Sequence, residues 1–248
     1  MSDQLAYYSF FGFPSEWLRE RYQPYAERFG AGSLVLDVGS GRGEFLELLS
    51  ERGVRGVGVD ADASMVAAIR EKGLAAEQGE AVRHLEANPG AFDGVFAAHI
   101  IEHLDPDAVT RLIEAAARAL RPGGRVIVVS PNPRNLQMVM NDFWIDLQHV
   151  RFYHPEIVRF LFHLNGLHDI EMGENQRYQV GPAPGKGQLP PLPSRDGGRN
   201  VQKREWVAAA LPASIKHRLS ELERQVDMLT GWARDLYAPA EYYVTAVR

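Results

Sequence analysis

The sequence contains no cysteine among its 248 residues. This absence excludes disulfide bonds, thiolate zinc sites, iron–sulfur clusters and any mechanism that uses a cysteine nucleophile. Positive charge is also scarce relative to negative charge, with 27 Lys and Arg against 32 Asp and Glu and a formal net charge of -5. A binder of nucleic acid needs a broad basic surface, so we expect no nucleic-acid partner and favour a small-molecule substrate.

Long hydrophobic runs are missing as well. The longest apolar stretches cover residues 95–101 and 126–129, whereas a bilayer-spanning helix needs roughly 20 apolar residues. The first residues lack the basic start and apolar run of a secretory signal. We therefore expect no membrane span and a cytoplasmic location.

Apolar runs of strand length alternate with helical patterns from residue 33 onward, which is typical of an α/β domain with a parallel sheet. The sequence predicts one doubly wound domain over residues 1–248 with a seven-stranded, mostly parallel sheet. The predicted strands cover residues 33–38, 56–60, 74–77, 92–99, 125–130, 168–174 and 242–247. The predicted helices cover residues 43–52, 64–72, 80–88, 106–120 and 155–164.

Two segments depart from this alternation. Residues 1–32 are rich in aromatic side chains and become helical in pattern only from about Ser15, a candidate N-cap after Pro14. Pro and Gly cluster over residues 181–200, and a helical pattern follows over residues 203–229. We interpret residues 1–32 as a lid or packing helix and residues 176–236 as an insertion ahead of the last strand.

A glycine-rich turn follows the first predicted strand, in the segment Val-Leu-Asp-Val-Gly-Ser-Gly-Arg-Gly-Glu-Phe over residues 35–45. Its alternating glycines, Gly39, Gly41 and Gly43, allow a tight turn and a close approach of backbone to a ligand. Asp60 ends the next predicted strand, at the spacing where an acid accepts hydrogen bonds from ribose hydroxyls. Together these features predict a nucleoside-containing cofactor, although a plain turn and a helix cap are the alternatives.

The pattern of a dinucleotide site is incomplete. The third glycine of G-x-G-x-x-G is replaced by Glu44 in one register and by Leu46 in the other. A carboxylate at Glu44 would lie in the first helical turn, where a pyrophosphate would otherwise bind. NAD and FAD are therefore disfavoured, and no Walker sequence is present.

The segment from Asp37 to Gly43 resembles the first motif of class I S-adenosylmethionine-dependent methyltransferases, and the resemblance extends over most of the chain from about residue 15. It implies a Rossmann-like sheet whose last strand is antiparallel, S-adenosylmethionine as cofactor and S-adenosylhomocysteine as product. It also implies that Asp60 binds the ribose. The further residues implied are Ala61 and Met65 around the adenine, Glu80 and Ala81 at its amino group, and His99 beside the methionine.

Three of these assignments have simpler alternatives. Met65 fits a helix core, and Glu80 fits a carboxylate favoured by the helix dipole. Arg21 could pair with the methionine carboxylate through a bidentate contact or could be a solvated surface residue.

The segment from His99 to Leu104 follows the fourth predicted strand and is similar to a segment of ubiquinone-pathway O-methyltransferases, in which Glu-x-x-Glu-His serves a divalent metal. His99 replaces the first glutamate here, so no metal site is predicted. His103 is the candidate general base for an acceptor hydroxyl. A helix N-terminal residue bonded to the backbone is the alternative.

Residues 130–153 resemble a subgroup of class I enzymes that methylate bacterial glycans and O-antigens. His149, a second catalytic candidate, lies there with Arg151 and Tyr153, and these side-chain types bind sugars or serve as a structural loop. We therefore expect O-methylation of a saccharide acceptor, with residues 1–32 and 176–236 covering the acceptor side. The alternatives are O-methylation of a phenolic or quinone-like molecule, and a catalytically silent protein that binds the cofactor.

Overall fold

A computed structural model describes residues 10, 14–178, 217–218, 220–222, 224–225 and 238–248. Among these residues, seven strands form one sheet with the order β3-β2-β1-β4-β5-β7-β6. The strands are β1 (Leu34–Val38), β2 (Arg55–Asp60), β3 (Ala75–Gln78), β4 (Phe92–Ala98), β5 (Leu120–Pro131), β6 (His168–Glu174) and β7 (Glu241–Val247).

Only the last strand runs against the others. The pairs β1–β2, β1–β4, β2–β3 and β4–β5 are parallel, and β7 is antiparallel to both β5 and β6. The predicted seven-stranded, mostly parallel sheet with an antiparallel last strand is confirmed.

Helices cover both faces of the sheet. They are α1 (Ser15–Ala26), α2 (Glu44–Glu51), α3 (Ala63–Glu71), α4 (Ala81–Ala87), α5 (Pro106–Ala119), α6 (Leu136–Met140) and α7 (Pro155–Leu164), with short 3₁₀ turns at Ile101–His103 and Asp142–Ile145. One hydrophobic cluster joins β1 and β4 to α5 and α7, and a second joins them to α1, α2 and α3. Because β1 is covered on both faces, four of its five residues are buried, and Asp37 is the charged one among them.

Most of the predicted strand and helix bounds shift by at most one residue, and two differences concern the starts of α1 and β5. Pro14, not Ser15, is the N-cap of α1, and Ser15 instead donates a hydrogen bond from its Oγ to Glu44 Oε1 at 3.1 Å. Strand β5 begins at Leu120, ahead of its predicted start at residue 125, because Leu120 pairs with Phe92 before a register shift in the ladder.

The chain order reverses between β1 and β4, since β2 and β3 lie on one side of β1 and the later strands lie on the other. In open α/β sheets ligands bind at this switch point, beyond the carboxyl ends of the strands. The Gly39–Gly43 turn follows β1 there, Asp60 is the last residue of β2, and His99 follows β4.

Parts of the predicted lid and insertion lie outside the described residues, including most of residues 1–13, all of residues 181–200 and most of the helix predicted over 203–229. The described positions between 217 and 225 are helical, as predicted. Within the described residues no helix is long and apolar enough to cross a membrane. The cytoplasmic location stays a prediction.

Candidate cofactor and acceptor site

A cavity of about 990 Å³ opens at the carboxyl ends of β1, β2 and β4. This volume is at the upper end of the range for small-molecule pockets and leaves room for two ligands side by side. The cavity is lined by the glycine turn, by residues that follow β2 and β3, and by residues of α1, the end of β4 and the 3₁₀ turns.

The glycine turn is shaped by left-handed backbone conformations. Gly39, Gly41 and Gly43 have φ angles of 66°, 52° and 83°, a region that favours glycine. A Cβ on Gly39 would overlap the Ile100 side chain, and one on Gly43 would lie 2.9 Å from Ile69 Cγ1. Gly39 and Gly41 line the cavity, whereas Gly43 is the N-cap of α2, so its direct contact with a cofactor is not supported.

Asp60 lies at the cavity wall with its carboxylate held by the backbone. Its Oδ2 accepts a hydrogen bond from Gly41 N at 2.9 Å, and its Oδ1 accepts one from Asp62 N at 2.9 Å. The backbone of Ala61 gives a third hydrogen bond to this carboxylate. A carboxylate has about four acceptor sites, so one remains for a ribose hydroxyl. The helix-cap alternative is wrong, because Asp62 is the residue that caps α3.

Three carboxylates line the cavity near the glycine turn. They belong to Asp37, Glu44 and Asp60. Burial, with smaller contributions from the neighbouring charges of Asp60 and Glu44, holds the pKa of Asp37 well above its usual value. Arg42 offsets part of this charge through an ion pair with Glu44 at 2.8 Å. The arrangement favours a cationic ligand over a pyrophosphate.

Of the four residues that the family resemblance places at the adenine, three line the cavity and one does not. Ala61, Glu80 and Ala81 line the cavity. Glu80 is also the N-cap of α4, with its two oxygens accepting hydrogen bonds from Val82 N and Arg83 N, each at 3.0 Å. Met65 is fully buried in the core and is not among the described residues that line the cavity, so its assignment to the adenine is corrected to core packing.

Arg21 is also placed differently from its predicted role. It is buried, and its Nε donates a hydrogen bond to Glu241 Oε2 at 2.5 Å. Its guanidinium lies over the Tyr178 ring at 3.9 Å from the centroid. Arg21 is not among the described residues lining the cavity. A contact with the methionine carboxylate is therefore not supported, and Arg21 instead fixes α1 to β7.

Glu241, at the start of β7, is a residue that the sequence analysis did not single out. Burial alone would raise its pKa, but the charge of Arg21 and a hydrogen bond from His99 bring the pKa down to about 2. Tyr25 donates to Glu241 Oε1 at 2.9 Å. The sequence did contain a signal for this residue, because Glu241 begins a strand that is otherwise uncharged. Acidic residues are almost never buried without partners.

His99 lines the cavity and lies between two buried carboxylates. Its Nδ1 is 3.0 Å from Glu102 Oε1 and its Nε2 is 2.9 Å from Glu241 Oε2. Burial and the charge of Arg21 each lower the pKa of His99, but the hydrogen bonds with the two carboxylates raise it above its usual value. His99 adopts a φ of 56°, a left-handed conformation that is uncommon for residues other than glycine.

Glu102, His103 and His149 form a cluster that we call the acceptor corner. Each offers a ligand atom, and these atoms all lie within 4.8 Å of one another. Glu102 is fully buried and accepts a hydrogen bond from Ser130 Oγ at 3.2 Å. His103 lines the cavity, and its buried Nδ1 has no hydrogen-bond partner among the described residues. The alternative of a backbone-bonded helix residue is thus not supported for that nitrogen.

His149 lies behind His103, with the two ring centroids 4.7 Å apart. Its Nδ1 donates to Phe143 O at 2.6 Å, and burial lowers its pKa. Neither His149, Arg151 nor Tyr153 is among the described residues that line the cavity. Tyr153 is buried and donates to Leu104 O at 2.8 Å.

Comparisons with known proteins identify the family. Residues 13–172 match the model of a methyltransferase domain. A ubiquinone biosynthesis O-methyltransferase of Sodalis glossinidius is 38% identical over 119 residues, which cover 44% of this chain and 47% of that protein. The chain therefore matches about half the length of this relative.

Solved structures share the fold. A SAM-dependent methyltransferase from Archaeoglobus fulgidus superposes with a TM-score of 0.76 at 25% identity, and all of both chains is covered. The phosphoethanolamine N-methyltransferase 2 of Haemonchus contortus, in complex with S-adenosyl-L-methionine, has a TM-score of 0.55 at 20% identity, over 89% of this chain and 49% of that one. This second likeness shows the fold alone.

Proposed function

Since the chain belongs to the methyltransferase domain family, as a class I S-adenosylmethionine-dependent methyltransferase, we propose that it methylates a hydroxyl oxygen of a small phenolic or quinone-like acceptor. One observation carries the proposal. The Gly39–Gly41 turn, Asp60 and His103 line the same cavity. We place the nucleoside of the cofactor at the turn and at Asp60, with its methyl group directed toward His103.

In the proposed complex, Asp60 accepts a hydrogen bond from a ribose hydroxyl of S-adenosylmethionine. The adenine lies by Ala61, Glu80 and Ala81, and the methionine lies by Gly39 and His99. The positive sulfonium would face the buried carboxylate of Asp37. A buried acid is stabilised in its ionised form by a nearby cation. The position of Asp37 therefore supports a cofactor that carries a positive sulfonium.

Methyl transfer is an in-line displacement. The acceptor oxygen attacks the methyl carbon, the carbon–sulfur bond breaks, and the electron pair stays on sulfur to give S-adenosylhomocysteine. The protein contributes mainly by positioning the two reactants, and the hydroxyl must also lose a proton. We propose that the acceptor corner accepts that proton. His103 lies at the cavity wall, and His149 lies behind it.

The lining of the cavity supports an aromatic acceptor over a sugar. It includes the apolar or aromatic side chains of Leu18, Tyr22, Ile100, Leu104 and Ile145, which suit a planar ring. The side chains predicted to bind a saccharide have other partners, as Tyr153 shows. The relative from Sodalis is named for ubiquinone biosynthesis. The saccharide acceptor stays a prediction without structural support.

The test is an acceptor screen with purified protein and S-adenosylmethionine, scored by formation of S-adenosylhomocysteine. We expect turnover with catechols or hydroquinones and none with monosaccharides. Asp60→Ala and His103→Ala serve as site variants, and His163→Ala on the exposed face of α7 is the matched control. Turnover with sugars alone would contradict the acceptor class. Calorimetric binding of the cofactor with no turnover on either class would favour a silent cofactor-binding protein.

A further inference from the structure

We infer that His99 takes the place of a divalent metal ion at the end of β4, so that this chain transfers methyl groups without one. The inference deepens the proposed function and rests on it only for the statement about turnover. In the ubiquinone-pathway segment that this turn resembles, the position of His99 is a glutamate that serves a metal. The exchange of glutamate for histidine alters both the hydrogen bonds and the charge of the buried site.

His99 joins the 3₁₀ turn after β4 to α1 and β7. Its Nδ1 lies 3.0 Å from Glu102 Oε1 in the turn, and its Nε2 lies 2.9 Å from Glu241 Oε2 at the start of β7. Arg21 of α1 contacts the same ring and the same oxygen of Glu241. Both ring nitrogens of His99 face carboxylates, and a histidine that donates from both nitrogens carries a positive charge.

The buried charges around His99 balance without a metal ion. Glu102 and Glu241 are fully buried, and they form ion pairs with Arg21 and His99. Two negative charges therefore meet two positive charges. With glutamate at position 99, three carboxylates would face Arg21 alone, and the excess of two negative charges would equal the charge of a divalent ion. The histidine thus supplies the charge that an ion would supply beside a glutamate.

The acceptor corner does not suit an added divalent ion. One ligand atom each from Glu102, His103 and His149 lies within 4.8 Å of the others, but Glu102 is the only carboxylate among the three. Its Oε1 accepts a hydrogen bond from His99 at 3.0 Å, and its Oε2 accepts one from Ser130 at 3.2 Å. An ion bound there would add two positive charges to a buried group of side chains whose charges already cancel, and such an excess is costly.

His99 is therefore a positioning residue. It holds the carboxylate of Glu102, and the backbone oxygen of Glu102 accepts hydrogen bonds from Val150 N and Arg151 N at 2.8 and 3.3 Å. These bonds fix the segment that carries His149. The left-handed φ of 56° at His99 agrees with this role, because such a conformation persists only where the surrounding contacts determine it. Hydrogen bonds and the charge of His99 thus hold the acceptor corner together.

The experiment uses full-length protein treated with a chelator. Calorimetric titration with Mg²⁺, Mn²⁺ and Zn²⁺, without cofactor or acceptor, should show no ion that the wild type binds and His103→Ala does not. In thermal melts, Mn²⁺ should leave the wild type unchanged but raise the melting temperature of His99→Glu by about 5 °C or more. His163→Glu, on the exposed face of α7, is the matched control and should not respond.

Turnover is measured with the best acceptor from the screen. Chelator should leave the wild-type rate within about twofold of the untreated rate, since no step that limits the rate then depends on an ion. His99→Glu should lose most of its turnover in chelator and regain it when Mn²⁺ is added. Circular dichroism checks that each variant is folded.

Three results would overturn the inference. The first is one ion per wild-type chain that is lost in folded His103→Ala, and the second is a loss of wild-type turnover in chelator that Mn²⁺ restores. The third is a His99→Glu chain whose stability does not respond to Mn²⁺, including one that stays unfolded with the ion present. The titrations and melts contain neither cofactor nor acceptor. An acceptor screen without turnover would therefore overturn the proposed function and leave these two measurements to decide the inference.

Discussion

At the residue scale, the buried carboxylate of Asp37 affects the stability of the fold and the binding of the cofactor in opposite directions. Asp37 is only 3% exposed, and its pKa is raised mainly by burial. An ionised carboxylate held in that position destabilises the ligand-free fold. The same charge stabilises a bound sulfonium, so function and stability oppose each other at this residue.

Asp37→Asn should therefore stabilise the ligand-free protein and weaken cofactor binding. Because the folded state holds a proton that the unfolded chain releases, the wild-type protein loses stability as the pH rises from the ordinary aspartate pKa of about 3.9 through the raised folded-state value. We expect Asn to add about 1–3 kcal/mol above that window and less at pH 4. Thermal melts at pH 4 and pH 8 measure this.

The charge assignment for Asp37 has its own control. The same variant should lose more affinity for S-adenosylmethionine than for S-adenosylhomocysteine, since only the former carries a sulfonium. Equal losses for both ligands would show that Asp37 does not face the sulfur.

Asp60→Ala should weaken cofactor binding by about 1–3 kcal/mol, the range for lost hydrogen bonds to a charged group. Asp62→Ala is the matched control. Asp62 caps α3 through Ser64 N at 2.8 Å, so its loss should cost about 1 kcal/mol of stability and leave affinity nearly unchanged. Calorimetry showing wild-type affinity in Asp60→Ala would place the ribose elsewhere.

His103→Ala should reduce kcat by about 10²- to 10⁴-fold, the range for loss of a group that handles a proton in the transition state. Cofactor affinity should be unchanged, because His103 is not among the residues that we assign to the cofactor. Steady-state kinetics with the best acceptor from the screen, beside His163→Ala, measure both quantities. A turnover rate equal to wild type would remove His103 from the chemistry.

At the element scale, α1 forms a wall of the site through contacts distant in sequence. Leu18 and Tyr22 line the cavity, while Arg21 and Tyr25 on the same helix bond to Glu241. Asn175, just after β6, adds a hydrogen bond to Arg21 O at 3.0 Å. The docking of α1 thus depends on a buried ion pair beside the site, and the cavity wall depends on that docking.

Arg21→Met should destabilise the fold by about 3–5 kcal/mol, because it leaves Glu241 buried without its main cation. Arg19→Met on the same helix is the control. Arg19 forms a partly exposed pair with Glu51 at 2.7 Å, and such pairs contribute about 0–1 kcal/mol. Urea unfolding of both variants should separate them clearly. Similar losses for the two would mean that the Arg21–Glu241 pair does not anchor α1.

At the scale of the whole molecule, hydrophobic periodicity was enough to predict the sheet and its crossover helices, because a core covered on both faces requires apolar strands. The glycine turn and Asp60 were also predictable, since their spacing along one βαβ unit fixes their positions in space. Both lie at the cavity, as expected.

Contacts between distant segments could not be predicted in this way. Arg21 and Glu241 are 220 residues apart, and no periodic pattern links them. The approach of His149 to Glu102 depends on backbone hydrogen bonds from Val150 and Arg151, which carry no side-chain signature. Met65 has the right position along the chain for the adenine, but the side of α3 on which it lies faces the core.

The central claim is that the turn after β1 and the acid after β2 hold the adenosyl group of the cofactor. A crystal structure of the protein with S-adenosylhomocysteine tests it directly. We predict a ribose hydroxyl within hydrogen-bond distance of the Asp60 carboxylate and a cofactor sulfur directed toward His103. A nucleoside bound elsewhere in the cavity, or a ribose without contact to Asp60, would contradict the account.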